Sequence, residues 1–350
     1  MTRFYNWQDI FSRQTGHNAE ITIVIGARSI GKTFGLRLEL VKRCIKTGMA
    51  FVNLSRYKEE IQAIKQNYFS KLQSEGFFTD YQFKVEKNTA YIALNGDNPD
   101  WKPICYFMAL TAFQRDKQTT FANVRDIIFD EAILDKRDQY HRYLPYEFSL
   151  FADALSTAFR EQPNDNIARH VYILGNACDL TAPYLKEYGI NKPPDFGFTW
   201  LKDNTVLLHR VEPWDADERK ALTLVGRMLD GSDAARVAFD NEFDLGSDSD
   251  IGSKTPNARF AFAMRYSAQT FAVWMDYKTG MVYVNDHVPK GSGKPFALTK
   301  KDGAVDYNQI RKNDDLMQLL SGLHYAGNIR YSSYGIREAF AEVLTFIGIR

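Results

Sequence analysis

Eight residues near the N-terminus carry the clearest chemical pattern of this 350-residue chain. Gly26-Ala27-Arg28-Ser29-Ile30-Gly31-Lys32-Thr33 has the form GxxxxGK[ST]. Glycines at its first and sixth positions let the backbone wrap and turn N–H groups toward anionic oxygens. Lys32 adds a cation for the outer phosphates of a nucleotide, and Thr33 offers a hydroxyl to Mg²⁺. The β-branched run Ile21–Ile25 precedes the loop, and a helical pattern over about Lys32–Thr47 follows it. A loop in that context opens a helix whose N-terminus attracts phosphate, which a chance glycine turn would not do.

A second pattern lies downstream. Val124-Arg125-Asp126-Ile127-Ile128-Phe129-Asp130-Glu131 is an apolar run closed by two carboxylates. At the C-terminal end of a parallel strand, Asp130 can hold Mg²⁺ or its water shell. Glu131 beside it can orient an attacking water or take its proton. Alone, an acidic strand end is weak; with the glycine loop it points to nucleotide hydrolysis, and ATP is the favoured nucleotide.

Other candidates have two readings. Asn176 closes the apolar run 170–174 through Gly175. It is either a turn asparagine or a polar sensor of the terminal phosphate. Arg160 ends a helical pattern over 145–160. Such an arginine is ordinarily solvated or paired with the helix dipole, but in a ring it can reach a neighbour's nucleotide. Arg56, Lys58 and Lys117 read first as surface charges. The six histidines show no metal-binding spacing, and no nucleophile elbow is present.

The elements that must position these groups alternate. Apolar runs at 21–25, 51–54, 104–110, 126–129 and 170–174 are separated by helical patterns at 32–47, 59–74 and 145–160. That order predicts a mainly parallel α/β sheet. Residues 83–94 alternate as a hairpin, with a turn expected at Asn95-Gly96. After a strand at 205–211 the pattern turns helical over 213–227, and 246–254 reads as a linker. Further strands are expected at 260–265, 270–277 and 281–286, and helices at 308–320 and 334–347. The division expected is 1–205, a small helical connector over 206–248, and an α/β domain over 249–350.

Composition sets bounds. The chain carries 44 Lys and Arg against 43 Asp and Glu, for a formal charge of +1. Residues 1–210 hold 27 basic and 24 acidic side chains and residues 211–350 hold 17 and 19, so neither part is a basic mass that would bind nucleic acid by bulk charge. With 25 Phe, 19 Tyr and 5 Trp, compositional disorder is excluded. Cys44, Cys105 and Cys178 are widely spaced, which fits a reducing compartment and not a cysteine zinc site. No signal peptide or membrane span is expected.

Phe4-Tyr5-Asn6, Val24 through Lys32, Arg56-Tyr57-Lys58, Ile128-Phe129-Asp130-Glu131, Phe159-Arg160 and Asn176-Ala177 occur in this order. So do Gly226-Arg227-Met228-Leu229-Asp230-Gly231, Asp240-Asn241 and Val273-Trp274-Met275-Asp276. The series resembles the genome-packaging ATPases of phi29-type tailed phages, compact relatives of the large terminases. The resemblance implies an additional-strand P-loop ATPase fold and a ring, pentameric in the family, at the portal vertex of the procapsid. It further implies ATP and Mg²⁺ as cofactors, and as partners double-stranded DNA, the portal or connector and, in some relatives, a packaging RNA. The site of action implied is the host cytoplasm. By the same resemblance Arg160 stands at the position of a trans-acting arginine finger, Lys117 at that of a second trans-acting cation, and Asn176 at a sensor position. The C-terminal part would be RNase H-like and degenerate as a nuclease. The residues agree with that last point. Asp276, Asp286, Asp302, Asp306, Asp314 and Asp315 are scattered, with no paired DxD or DxE on a strand, whereas two-metal cleavage needs clustered carboxylates. Competing classes are a P-loop small-molecule kinase, a helicase-type translocase unrelated to packaging, and a nucleotide-dependent structural protein.

Overall fold

Short β-branched and aromatic runs form the strands of a nine-stranded sheet. They are β1 (Ile21–Ile25), β2 (Ala50–Ser55), β3 (Tyr81–Glu86), β4 (Thr89–Leu94), β5 (Lys102–Ala109), β6 (Val124–Ile133), β7 (His170–Gly175), β8 (Gly197–Leu201) and β9 (Val206–Arg210). The coordinates are a computed structural model describing residues 5–17, 19–112, 121, 123–135, 142–159, 167–243, 249–267, 269–303, 308–309 and 314–349. The strand order is β3-β4-β5-β2-β6-β7-β1-β9-β8. From β5 to β9 all pairings are parallel. The outer pairs β3–β4, β4–β5 and β8–β9 are antiparallel. Strands in the middle of a parallel sheet are covered on both faces, and Val52, Ile127, Ile128, Phe129, Ile173 and Leu174 are accordingly buried.

Parallel pairing brings the C-terminal ends of β1, β2, β6 and β7 to one edge of the sheet, where ligands of open α/β sheets bind. Gly26, Arg56, the Asp130-Glu131 pair and Asn176 all stand there. The helix Lys32–Thr47 returns along the sheet with Leu36, Leu40, Val41 and Cys44 buried. It approaches Trp7 so closely that a Cβ on Gly35 would lie 2.9 Å from the indole.

The chain divides into two compact units, Met1–Tyr188 with Pro194–Asp244, and Gly189–Pro193 with Leu245–Arg350. The connector expected from residue 206 therefore begins too early. β9 pairs in register with β1, because its run Val206-Leu207-Leu208 is buried within the sheet. The helices Ala216–Leu222, Leu224–Leu229 and Asp233–Phe239 follow within the first unit.

The second unit holds β10 (Arg259–Tyr266), β11 (Gln269–Asp276), β12 (Met281–Asn285), β13 (Phe296–Ala297), β14 (Asn308–Gln309) and β15 (Ile329–Tyr331), in the order β14-β13-β10-β11-β12-β15. β10, β11 and β12 are antiparallel neighbours, and β13, β14 and β15 add in parallel. The helices Asp315–Tyr325 and Tyr334–Phe346 contribute Met317, Leu320, Ile336, Phe340 and Val343 to its core.

Three local expectations are corrected. The hairpin turns at Lys87-Asn88, with Lys87 at φ 55°, while the Asn95 side chain bonds Thr79 O at 2.8 Å and closes the open end. The helix expected over 59–74 is broken into Lys58–Ile64, a short 3-10 turn and Ser70–Ser74. Residues 308–309 pair as a strand, and the helix expected over 308–320 starts at Asp315. Cys44, Cys105 and Cys178 are buried and joined by no disulfide among the described residues. Among the described residues no helix is long and apolar enough to cross a membrane.

Candidate active site

The glycine loop takes its shape from two glycines. Gly31 sits at φ 84° and caps the helix Lys32–Thr47, a left-handed conformation that glycine adopts without strain. A Cβ on Gly26 would lie 2.8 Å from Ile30 and 3.2 Å from Val211, so a side chain there would force the loop open. Ser29 also takes positive φ, 62°.

Residues 28–33 line a cleft of about 610 Å³ together with Phe34, Lys71, Asp130, Glu131, Asp135 and Asn176. Lys32 is mostly buried at 8% exposure. Its Nζ donates to Gly26 O at 2.8 Å, Ala27 O at 2.8 Å and Asn176 Oδ1 at 3.1 Å. Asn176 thus touches the lysine ammonium directly, which a simple strand-end turn would not require. Gly26 and Ala27 do not line the cleft; they hold the lysine through their carbonyls.

The acidic pair stands inside β6 rather than after it. The β6–β7 register shifts between Phe129 and Ile133, and Glu131 takes φ 52° at that irregularity. Glu131 N donates to Asp130 Oδ1 at 3.0 Å. The ladder resumes where Ile133 pairs with Gly175, and a Cβ on Gly175 would lie 2.7 Å from the Ile133 side chain. The glycine before Asn176 is what allows β6 and β7 to close beside the cleft. Glu131 is exposed, and Asp130 is partly exposed.

Arg56 overturns its reading as a surface charge. It is 2% exposed, and its guanidinium forms a two-pronged pair with Glu147, Nε to Oε2 and Nη2 to Oε1, both 2.9 Å. Nη2 also donates to Ala132 O at 2.9 Å and Nη1 to Glu131 O at 3.4 Å. Tyr184 Oη and Leu144 N bond the same glutamate at 2.9 and 2.7 Å. A buried ion pair persists only when its remaining polar atoms are satisfied, and here they are. Arg56 therefore braces the backbone that carries Glu131. Sequence reasoning could not pair it with Glu147, 91 positions away. Arg28 Nη2 meets Asp135 at 3.2 Å, another contact that no local pattern signalled. Lys58 is exposed. Lys117 and Arg160 lie outside the described residues.

Chemically, Thr33 and Asp130 set a hydroxyl and a carboxylate in the same cleft. That donor set suits Mg²⁺, which keeps most of its coordination as water and phosphate oxygen. Lys32 supplies positive charge, and Glu131 adds a second carboxylate to the lining of the cleft.

A family model, "Podovirus DNA encapsidation protein (Gp16)", matches residues 1–347. This chain belongs to that family. It is 28% identical over 342 residues to the DNA packaging protein of Bacillus phage phi29, covering 97% of this chain and 96% of that one. The DNA packaging protein of Bacillus phage B103 is 28% identical over 321 residues, covering 91% of this chain and 94% of the relative. Among solved structures, a chain of the bacteriophage Phi-29 viral genome packaging motor assembly superposes with a TM-score of 0.74 at 23% identity, covering 99% of each chain. A chain of the Phi-28 gp11 DNA packaging motor gives 0.62 at 15% identity, covering 100% of this chain and 99% of that one. At these identities the structural matches establish the fold, which spans both units.

Proposed function

We propose that this member of the encapsidation family is an ATPase motor that drives double-stranded DNA through the portal into a procapsid. The observation that carries the reading is the cleft, in which Lys32, Thr33, Asp130, Glu131 and Asn176 converge. Arg28 through Thr33 cradle the nucleotide phosphates, on a turn set by Gly26 and Ala27, and Lys32 exchanges its carbonyl partners for phosphate oxygens. Thr33 and Asp130 would hold Mg²⁺, which would supply positive charge against the outer phosphates. Glu131 orients the attacking water and accepts its proton, with its backbone braced by Arg56 and Glu147. Asn176, beside Lys32, senses the terminal phosphate. The chain through β9 forms the body of this P-loop domain, and the helices Ala216–Leu222, Leu224–Leu229 and Asp233–Phe239 that follow serve as its lid.

The subunits act in a ring, taken as a pentamer from the resemblance, with Arg160 and Lys117 of one subunit completing a neighbour's site. DNA, the portal and, where present, a packaging RNA are the partners. Residues 249–350 form an RNase H-like module, a reading supported by three antiparallel strands followed by parallel additions on both sides. It grips and docks and does not cut. Among the described residues no three His, Cys, Asp or Glu side chains cluster as a metal site. Asp276 is committed to its turn, accepting from Thr255 Oγ1 at 2.6 Å and Lys278 N at 3.0 Å.

Mixing variants tests the shared site. Arg160→Ala should bind ATP and fail to hydrolyse it, and Lys32→Ala should fail to bind it. Mixed, the two should recover part of the hydrolysis rate, since some interfaces then pair a good loop with a good finger. Absence of recovery would remove the trans role.

A further inference from the structure

The segment that follows the helices after β9 is fastened by the Asn241 side chain to the strand end from which the glycine loop departs. Asn241 is fully buried and takes φ 54°, a left-handed conformation that asparagine adopts more readily than most residues. Its Nδ2 donates to Ile25 O at 3.1 Å and Val211 O at 2.9 Å. Ile25 is the last residue before Gly26, and Val211 N already donates to Ile25 O at 2.8 Å. β1 and β9 separate at this point because the loop turns away at Gly26. The Asn241 amide bridges the two strand ends where the ladder stops. Just upstream, Ala238 O accepts Arg28 N, the third residue of the loop, at 3.0 Å. Arg210 Nη2 in turn donates to Asn241 O at 2.8 Å. Among the described residues Asn241 Oδ1 has no hydrogen-bond partner, so the side chain is held by its donors.

These requirements are narrow. The site needs a left-handed backbone and two N–H donors on a short arm, with no spare volume. Aspartate has the shape but lacks the donors, and glutamine is one methylene too long. Nothing in the phosphate chemistry itself calls for a residue here.

We infer that Asn241 is a positioning residue for the nucleotide site. It fixes the base of the glycine loop and couples phosphate binding to the order of residues 233–243. The inference rests on reading residues 26–33 as the phosphate loop. If the segment favours the loop shape that binds phosphate, phosphate must favour the ordered segment by the same factor.

The test uses the full-length chain with ATP and ADP, Lys32→Ala as control, and hydrogen exchange followed by mass spectrometry. In wild type, saturating Mg·ATP should slow exchange of 233–243, where the Asp240 and Glu242 amides bond Arg236 O. Asn241→Asp should weaken ATP and ADP binding by roughly tenfold each, within the usual range of coupling between sites. KM for ATP should rise by a similar factor while kcat falls far less, and nucleotide should no longer protect 233–243. Asn241→Gly keeps the backbone conformation and removes the donors. It should repeat the result if the aspartate variant folds poorly. Wild-type affinity in a folded variant would overturn the inference, as would unchanged exchange of 233–243 in wild type with ATP bound. Failure of wild type to bind nucleotide at all would overturn the phosphate-loop reading instead.

Discussion

Glu131 and Arg56 have separate tasks at the C-terminal edge of the sheet. Glu131 faces the cleft in a left-handed backbone, and Arg56 holds that backbone from beneath through two carbonyls. Glu131→Gln should retain ATP binding and lose hydrolysis by about 10²-fold or more, the usual contribution of a positioned base. Nucleotide-binding titration beside phosphate release checks this, and loss of binding would make Glu131 structural. Glu147→Ala should destabilise the fold by about 3–5 kcal/mol, because it strands a buried guanidinium. A denaturant midpoint unchanged from wild type would contradict that burial. At this scale the sequence was most legible where chemistry is contiguous. The glycine loop and the acidic pair are short strings whose residues act together. Arg56 was misread because its environment is made by residues 131, 132, 143, 147 and 184, whose proximity only the sheet creates.

Elements place these residues through a few steric constraints. Gly175 lets β7 lie against Ile133 and delivers Asn176 to Lys32. Gly175→Ala should cost about 1–3 kcal/mol by overpacking and should lower turnover more than ATP affinity. Thermal denaturation with steady-state kinetics reads both effects. On the far side of β1, His209 stacks on Phe198 at 4.0 Å and bonds the Tyr5 hydroxyl. Burial, with Arg13 nearby, pushes its pKa down from 6.5 to about 4. The folded chain thus prefers neutral His209. Its stabilising contribution is full above pH 6.5 and is lost as pH falls through about 4. Asp126 shifts the other way, since burial lifts its carboxyl to about 6 against the pull of Arg43. Comparison with His209→Gln isolates the histidine. The stability advantage of wild type over the variant should shrink between pH 6.5 and 4 by up to about 3 kcal/mol. A constant difference would contradict the burial. The strands were legible because apolar runs mark them. The hairpin turn was misplaced because Asn95-Gly96 has turn chemistry, yet it closes the hairpin's open end rather than its tip. The connector was begun too early because one buried strand, β9, looks the same whether it ends a sheet or starts a new segment.

For the whole molecule, near-neutral charge suits a protein that must hold DNA and release it. A strongly basic surface would bind DNA phosphates too tightly and with steep salt dependence. Isolated residues 249–350, should they fold, and the full chain alike are expected to leave DNA uncut in Mg²⁺ or Mn²⁺. Cleavage abolished by Asp276→Asn would reverse that expectation. The central claim is that one cleft converts ATP hydrolysis into DNA movement, and phosphate release by the purified full-length chain tests it most directly. The rate should rise with added double-stranded DNA and, per subunit, with protein concentration, and Lys32→Ala should abolish it. A rate indifferent to both DNA and concentration, or undiminished by Lys32→Ala, would contradict the account.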